Sequence, residues 1–126
     1  MDILNMFKDS ERTQQVSKGS YIFHQGKPGD TMYVILEGEV DILLNDVAVA
    51  TFHQGQIFGE MALIDDRARS ASAFAKTDCK LVPVDKESFM FLVQQHPQFA
   101  LYVMKILTQK VRGLDEMLYK LSKSSV

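Results

Sequence analysis

The feature that most constrains the fold is a series of short strand-like segments that follow one another, without intervening helices, between about residues 13 and 85. Turn-forming residues separate these segments, among them the glycine- and proline-containing run at 26–30 and the pair Asn45-Asp46. Tight turns join antiparallel strands, whereas parallel strands need long and usually helical crossovers. The pattern therefore predicts an antiparallel roll, sandwich or barrel and disfavours a doubly wound sheet. The predicted strands lie at residues 21–23, 32–36, 40–44, 47–52, 71–75 and 80–85.

Helical patterns lie on both sides of the strands. Residues 2–9 form a short amphipathic segment, and residues 86–95 form a second helix that His96-Pro97 interrupts. A longer helix is predicted from residue 97 to about residue 121. Its apolar residues recur at alternating spacings of four and three, which is the pattern of a coiled-coil seam. The seam consists of Ala100, Met104, Leu107, Val111, Leu114, Leu118 and Leu121.

The seam predicts a homodimer that pairs through the C-terminal helix. An alternative is a monomer in which this helix lies wholly against its own domain. The chain has 126 residues, which is room for one domain. We divide that domain into an N-terminal helical region at 1–12, a strand-rich region at 13–85 and C-terminal helices at 86–121.

Charge and cysteine content exclude several classes of protein. The 14 basic and 16 acidic residues give a net charge of −2, without the basic excess of chains that bind nucleic acids. The single cysteine, Cys79, cannot form an internal disulfide. No apolar stretch approaches the roughly 18 residues of a membrane span, and the first residues do not resemble a signal peptide. We therefore expect a cytoplasmic domain without direct contacts to DNA or membranes.

The segment at 55–73 breaks the strand pattern and contains the candidate site. Residues 61–64 suit one helical turn directly after Gly59 and Glu60. The first N–H groups of such a turn have no partner within it and favour an anion. A glycine at position 59 would let the backbone approach that anion closely.

Two side chains that follow this turn complete an anion-binding set. Arg69 carries a planar guanidinium suited to phosphate oxygens, and Ser70 adds a hydroxyl donor beside it. Glu60 would repel a phosphate but can accept a hydrogen bond from a sugar hydroxyl. The combination fits a ribose phosphate. An alternative is that Glu60 and Arg69 pair with each other, and Arg67 is a rival phosphate ligand.

The whole segment resembles the phosphate-binding cassette of the cyclic nucleotide-binding domain family. The resemblance rests on the run Phe-Gly-Glu-Met-Ala-Leu-Ile at 58–64 and, after four residues, Arg-Ser-Ala-Ser-Ala at 69–73. It extends over essentially the whole chain. Further residues that fall in the order and approximate spacing of the family are Phe23, Gly26, Asp30, Tyr33, Ile35, Gly38, Val40 and Gly55.

The resemblance implies a jelly-roll-like antiparallel β-roll of about eight strands, flanked by helices, that binds cyclic AMP or cyclic GMP. In such a site Glu60 would hold the ribose 2′-hydroxyl and Arg69 would neutralise the cyclic phosphate. The other binding positions implied are Gly59, the amides of Met61 and Ala62, the Ser70 hydroxyl, and Ala71. A hydroxyl at position 70 contacts either the phosphate or a guanine ring in this family, so the base preference is open. Thr108, on the long helix, is the candidate for capping the base.

The remaining residues give no sign of catalysis. His24, His53 and His96 are widely spaced, which disfavours a metal-dependent oxygenase of the cupin type, and no nucleophile–base arrangement is present. We therefore expect no enzymatic activity, no metal and no cofactor besides the nucleotide ligand. The second hypothesis is a ligand-free module, with a vestigial cassette, that serves in dimerisation or in docking to an unidentified effector protein.

Overall fold

The computed structural model describes residues 2–124 and contains eight strands and three α-helices in that range. The chain divides into two compact units. One unit, residues 2–90, contains all eight strands, and the described part of the other, residues 91–124, contains the end of α2 and all of α3. The strands are β1 Gln14–Val16, β2 Tyr21–Phe23, β3 Thr31–Glu37, β4 Val40–Leu44, β5 Val47–Phe52, β6 Ile57–Phe58, β7 Ser72–Ala75 and β8 Cys79–Asp85. The helices are α1 Ile3–Phe7, α2 Lys86–Gln95 and α3 Pro97–Ser124.

The strands form two four-stranded sheets with the orders β1-β8-β3-β6 and β2-β7-β4-β5. Every pair of neighbouring strands is antiparallel, which confirms the predicted β-roll. In the first sheet, β3 is central and pairs with β8 along almost its whole length. Its other edge pairs with the two-residue β6, where Tyr33 lies opposite Phe58. This pairing fixes the start of the candidate site, because Gly59 and Glu60 follow β6 directly.

The core lies between the sheets. A cluster of fully or almost fully buried residues from six strands fills it, and five partly buried hydrophobic residues pack against that cluster: Ile22, Phe23, Tyr33, Ile42 and Phe52. Burial of each large apolar side chain contributes about 1.5–3 kcal/mol, so this cluster supplies much of the stability of the roll. The cluster consists of Val16, Ile35, Val40, Phe58, Ala73, Ala75, Cys79 and Leu81.

Local sequence explains several boundaries. Asn45 and Asp46 have φ angles of 51° and 67°, so the predicted tight turn joins β4 and β5 with the two residue types that best tolerate the left-handed region. Asp2 caps α1 by accepting from the Asn5 N–H at 3.1 Å. Asp85 does the same for α2, accepting from the Ser88 N–H at 2.8 Å. The predicted start of α2 at residue 86 is confirmed.

Other boundaries differ from the sequence prediction. The N-terminal helix is shorter than predicted, and α3 runs to Ser124 rather than to about residue 121. The strand β6 was not predicted, because two residues carry no readable alternation. Cys79 is buried, and its Sγ lies 3.2 Å from the Thr77 carbonyl and 3.3 Å from the Glu39 carbonyl. Burial raises the pKa of the Cys79 thiol.

Candidate functional site

The site begins at a backbone reversal between β6 and a short helix. Gly59 has a φ of 77°, in the left-handed region, and Glu60–Leu63 then form one turn of 3₁₀ helix. The predicted helical turn is therefore present but starts one residue earlier. A Cβ at position 59 would lie 3.0 Å from Arg69 Nη1 and 3.3 Å from the Thr31 carbonyl oxygen. Glycine is needed here both for the backbone angle and for the close approach of Arg69.

Glu60 is the first residue of the 3₁₀ turn and one of the most buried side chains of the chain, with an exposed fraction of 1%. Charged side chains are seldom buried to this extent without a specific role or partner. An ionised carboxylate only accepts hydrogen bonds, so this position suits a group that donates. The buried Glu60 therefore has the chemistry to recognise a hydroxyl.

The backbone of Arg69 is held before β7 begins. Its N–H donates to the Lys27 carbonyl at 2.9 Å, and its carbonyl accepts from the Gly26 N–H at 2.8 Å. These two bonds extend the antiparallel pairing of β2 and β7 beyond the regular strands. The glycine- and proline-containing turn after β2 thereby fixes where the Arg69 side chain starts.

The Arg69 side chain is buried, with an exposed fraction of 8%. Its Nη2 donates to the Thr31 carbonyl at 2.7 Å and its Nη1 to the Gly59 carbonyl at 3.2 Å. The guanidinium carbon lies 3.9 Å from the centroid of the Phe23 ring. Arg69 thus donates to two backbone carbonyls, which hold its guanidinium against the roll.

One donor of the Arg69 guanidinium is unsatisfied. Its Nε is buried without a hydrogen-bond partner in the described part of the chain. Burial lowers the pKa of Arg69, while Tyr33 and Asp30 act in the opposite direction. Arginine still remains protonated at neutral pH. The site therefore contains a buried cation with one N–H that has no hydrogen-bond partner in the described part of the chain.

The other residues predicted for the site differ in burial and in their place in the fold. Met61 and Ser70 are exposed, whereas Ala62 and Ala71 are half-buried. The Ala62 N–H donates to the Gly59 carbonyl at 3.3 Å, a long bond within the turn. Thr108 belongs to the unit at 91–124, where it is exposed and its hydroxyl donates to the Met104 carbonyl at 2.9 Å.

Arg67, the rival phosphate ligand, has a different environment from Arg69. It is exposed, and its backbone N–H donates to Asp65 Oδ1 at 3.2 Å. Asp65 and Asp66 are exposed as well. Arg67 therefore lacks the burial of Arg69.

The sequence analysis did not assign to the site three residues that surround Arg69: Phe23, Gly29 and Thr31. A Cβ at Gly29 would lie 2.4 Å from Arg69 Nε, so this glycine leaves room for the guanidinium. Thr31 contributes a backbone carbonyl, which no side-chain pattern can reveal. Phe23 was assigned to a strand, and its alternation gives no sign that the ring faces an arginine.

A family comparison decides what kind of domain this is. Residues 13–96 match the family model described as the cyclic nucleotide-binding domain. The chain belongs to this family. The match begins just before β1 and ends just after α2, so it includes the whole roll and the candidate site.

Relatives of this cyclic nucleotide-binding domain include parts of larger proteins. The cAMP-dependent protein kinase regulatory subunit of Aspergillus fumigatus is 40% identical over 77 residues, which are 60% of this chain and 19% of the relative. Lysophospholipase nte1 of Aspergillus oryzae is 32% identical over 108 residues, which are 82% of this chain and 7% of the relative. The chain thus spans less than a fifth of the length of either protein.

Solved structures share the fold of this domain. The catabolite activator protein of Thermus thermophilus superposes with a TM-score of 0.81 at 30% identity, covering 88% of this chain and 55% of that protein. An EAL enzyme in its cyclic-GMP-bound form superposes with a TM-score of 0.64 at 33% identity, covering 80% of this chain and 28% of that one. Similar domains therefore occur in a catabolite activator protein, in a kinase regulatory subunit and in enzymes.

Two further searches concern metals and membranes. Within residues 2–124, no group of three or more His, Cys, Asp or Glu side chains is placed to hold a metal ion. None of the helices in the same range combines the length and the apolar character needed to cross a bilayer.

Proposed function

We propose that this domain is a regulatory sensor that binds cyclic AMP or cyclic GMP at the 59–71 segment. The observation that carries the proposal is the buried Arg69 guanidinium, whose Nε–H has no partner in the described part of the chain. A buried charge is stabilised by an opposite charge and by hydrogen bonds to its remaining donors. A cyclic phosphodiester carries one negative charge, which matches one arginine, and its exocyclic oxygens accept from Nε.

Glu60 supplies the second half of the proposed recognition. In a cyclic nucleotide the 3′- and 5′-oxygens are esterified, so the 2′-hydroxyl is the one ribose donor that remains. The buried Glu60 carboxylate would accept from it. Gly59, the Met61 and Ala62 amides, Ser70 and Ala71 would line the phosphate and ribose. The Ala62 amide would exchange its long bond to the Gly59 carbonyl for a phosphate oxygen.

Side chains other than the buried Glu60 and Arg69 would select the base. Ser70 is exposed next to Arg69 and its hydroxyl is free to serve either a phosphate oxygen or a guanine ring. Thr108 on α3 would cap the base. Relatives in both nucleotide classes exist, since one is a cAMP-dependent protein kinase regulatory subunit and another is an EAL enzyme in a cyclic-GMP-bound form. The two affinities therefore have to be measured.

The α3 helix would transmit the effect of nucleotide binding. Five of its seven seam residues have exposed fractions between 57% and 64%, an apolar stripe that a second copy of the helix would cover. We propose a homodimer formed through this stripe, in the cytoplasm, with an effector protein as a possible further partner. Nucleotide binding shifts such an equilibrium only by its differential affinity for the two states. The exposed seam residues are Met104, Val111, Leu114, Leu118 and Leu121.

One observation favours a second candidate, a ligand-free dimerisation or docking module. Arg69 is already held by the Thr31 and Gly59 carbonyls and by the Phe23 ring, so it could serve the fold alone. In that case loss of Arg69 would lower the unfolding temperature of a protein that binds neither nucleotide. Both candidates are binding functions, and no catalytic role is proposed for this domain.

Calorimetric titration of matched arginine variants tests the proposal. Arg69→Ala removes the buried cation, Arg69→Lys keeps the charge without the planar fork, and Arg67→Ala removes an exposed arginine two residues away. We expect Arg69→Ala to weaken cyclic nucleotide binding by about 10-fold or more, since hydrogen bonds to charged groups contribute about 1.5–3 kcal/mol. Arg69→Lys should be intermediate and Arg67→Ala close to wild type. Equal effects of the two alanine variants on affinity would contradict the assignment.

A further inference from the structure

The guanidinium of Arg69 is enclosed on several sides. The Phe23 ring lies against one face, with 3.9 Å between the guanidinium carbon and the ring centroid. Backbone at Gly29 and Gly59 is close enough that an added Cβ would meet Arg69 Nε at 2.4 Å and Nη1 at 3.0 Å. The side chain therefore fits between an aromatic ring and two glycines that have no side chain to displace it.

We propose that Phe23 is a positioning residue for Arg69, which orients the guanidinium plane so that Nε–H faces the bound anion. The inference deepens the proposed function and rests on it. Two hydrogen bonds, to the Thr31 and Gly59 carbonyls, fix the ends of the fork. These two bonds alone do not restrain tilting of the plane about the Nη1–Nη2 line. A flat ring against one face restrains that tilt, which two bonds to point acceptors do not.

The Phe23 ring is itself held by other aromatic rings. Its centroid lies 5.9 Å from that of Phe58 and 6.1 Å from that of Tyr33, and these two rings stack on each other at 5.3 Å. Phe58 is buried in the core and directly precedes Gly59. The surface that supports Arg69 is therefore continuous with the strand that leads into the 3₁₀ turn.

The chemistry of the contact requires an aromatic side chain. The π-face of Phe23 carries a partial negative charge that attracts a cation, and guanidinium groups stack on aromatic rings more readily than ammonium groups do. An aliphatic residue of similar size would fill the volume but would present neither the charge nor a flat face. Substitution by an aliphatic residue should therefore loosen Arg69 more than it loosens the core.

The test compares two phenylalanines that pack on Phe58. Phe52 lies 6.5 Å from Phe58 and is part of the same partly buried layer as Phe23, whereas the ring that lies against the Arg69 guanidinium is that of Phe23. We would prepare Phe23→Leu, Phe23→Tyr and Phe52→Leu, with Phe23→Met as the replacement if the leucine variant fails to fold. Each is measured for thermal unfolding, for affinity to cyclic AMP and cyclic GMP, and for the NMR shift of the Arg69 Nε–H proton, which senses the ring current of Phe23.

We expect Phe23→Leu to weaken nucleotide binding by about 3- to 30-fold, the range of a partly desolvated cation–π contact, and to move the Nε–H resonance. Phe23→Tyr should have the affinity and the Nε–H resonance of wild type. Phe52→Leu should lower the unfolding temperature without changing the affinity or the resonance. Equal affinities for Phe23→Leu and Phe52→Leu, or no rescue by tyrosine, would overturn the positioning role. If wild type binds neither nucleotide, the proposed function fails, and the ligand-free Nε–H resonance alone decides whether Phe23 positions Arg69: no displacement in Phe23→Leu overturns it.

Discussion

Arg69 donates from Nη2 to the carbonyl of Thr31 at 2.7 Å, across a separation of 38 residues in the sequence. This bond joins the loop before β7 to the first residue of the central strand β3. It places the Arg69 guanidinium against the backbone of the roll. The Gly59 carbonyl, on the side of the 3₁₀ turn, accepts a second hydrogen bond from the same guanidinium. An anion that binds Arg69 would therefore act on three parts of the fold at once.

Gly29 leaves the space that Arg69 occupies. A methyl group at this position would lie 2.4 Å from Arg69 Nε, so we expect Gly29→Ala to displace the guanidinium and weaken cyclic nucleotide binding by about tenfold or more, the effect of losing one charged hydrogen bond. Calorimetric titration measures this. The matched control is Gly113→Ala, since no atom lies within 4 Å of the added methyl. That control should bind as wild type does and gain up to about 1 kcal/mol of helix stability. Unchanged affinity in Gly29→Ala would contradict the packing argument.

We expect Glu60 to recognise the 2′-hydroxyl of the ribose. A 2′-deoxy ligand would leave the buried carboxylate without the hydroxyl that donates to it, at a cost of about 1–3 kcal/mol, or about 5- to 150-fold in affinity. Wild type should therefore bind 2′-deoxy cyclic AMP more weakly than cyclic AMP in a competition titration. Glu60→Gln, which keeps the shape of the side chain, should reduce the difference between the two ligands. If wild type binds the two ligands equally, Glu60 does not recognise the hydroxyl.

The apolar stripe on α3 predicts a dimer. Leu114 lies in the seam with an exposed fraction of 59%, and Tyr119, with 63%, lies outside it. Both substitutions to glutamate introduce one negative charge at a similarly exposed helix position. We expect Leu114→Glu to be monomeric in sedimentation velocity and Tyr119→Glu to remain dimeric, with unchanged circular dichroism from the roll. A wild-type monomer, or a dimer that survives Leu114→Glu, would rule out pairing through this seam.

Asp85 should stabilise the start of α2 in a pH-dependent way. Its carboxylate accepts from the Ser88 N–H at 2.8 Å, and the bonds to Ser88 lower the pKa of Asp85 below its usual value. We expect Asp85→Ala to cost about 1 kcal/mol of unfolding free energy at neutral pH, and Asp85→Asn less, because asparagine also caps helices.

The sign of the pH dependence follows from the lowered pKa of Asp85. Because the folded state binds the proton less tightly than the unfolded state does, the stabilisation is present above the unfolded pKa of about 4 and is lost as the pH falls through the folded value. Denaturant titrations of wild type and Asp85→Ala should therefore converge below about pH 4. A difference that is independent of pH would mean that the carboxylate charge is not involved.

The strand and turn pattern was sufficient to predict an antiparallel roll, sandwich or barrel for a physical reason, and the family resemblance selected the roll. Short alternating segments separated by turn residues have few antiparallel solutions, and Asn45 and Asp46 adopt the left-handed angles that their side chains tolerate. A helical turn near Gly59 followed from the same local rules, although it starts at Glu60, one residue earlier than predicted. Each of these features depends on residues that are close together in the chain.

The surroundings of Arg69 could not be predicted in this way. Phe23, Gly29 and Thr31 reach Arg69 only after β2, β3 and β7 have paired, and two of their contributions come from backbone or from the absence of a side chain. Likewise, the short strand β6 exists because its residues pair with Tyr33 and Val34 of β3. The 4-3 spacing on α3 predicts an apolar stripe but carries no information on what covers it.

The most direct test of the central claim is a calorimetric titration of wild type that has been unfolded and refolded to remove any bound nucleotide. Cyclic AMP, cyclic GMP and the linear 5′-AMP are titrated in turn. The buried Arg69 and Glu60 predict saturable binding of one cyclic nucleotide per chain, weaker binding of 5′-AMP, and a ratio of the two cyclic affinities that identifies the preferred ligand. Absence of binding by either cyclic nucleotide, in a sample that unfolds cooperatively, would contradict the sensor and favour the dimerisation module.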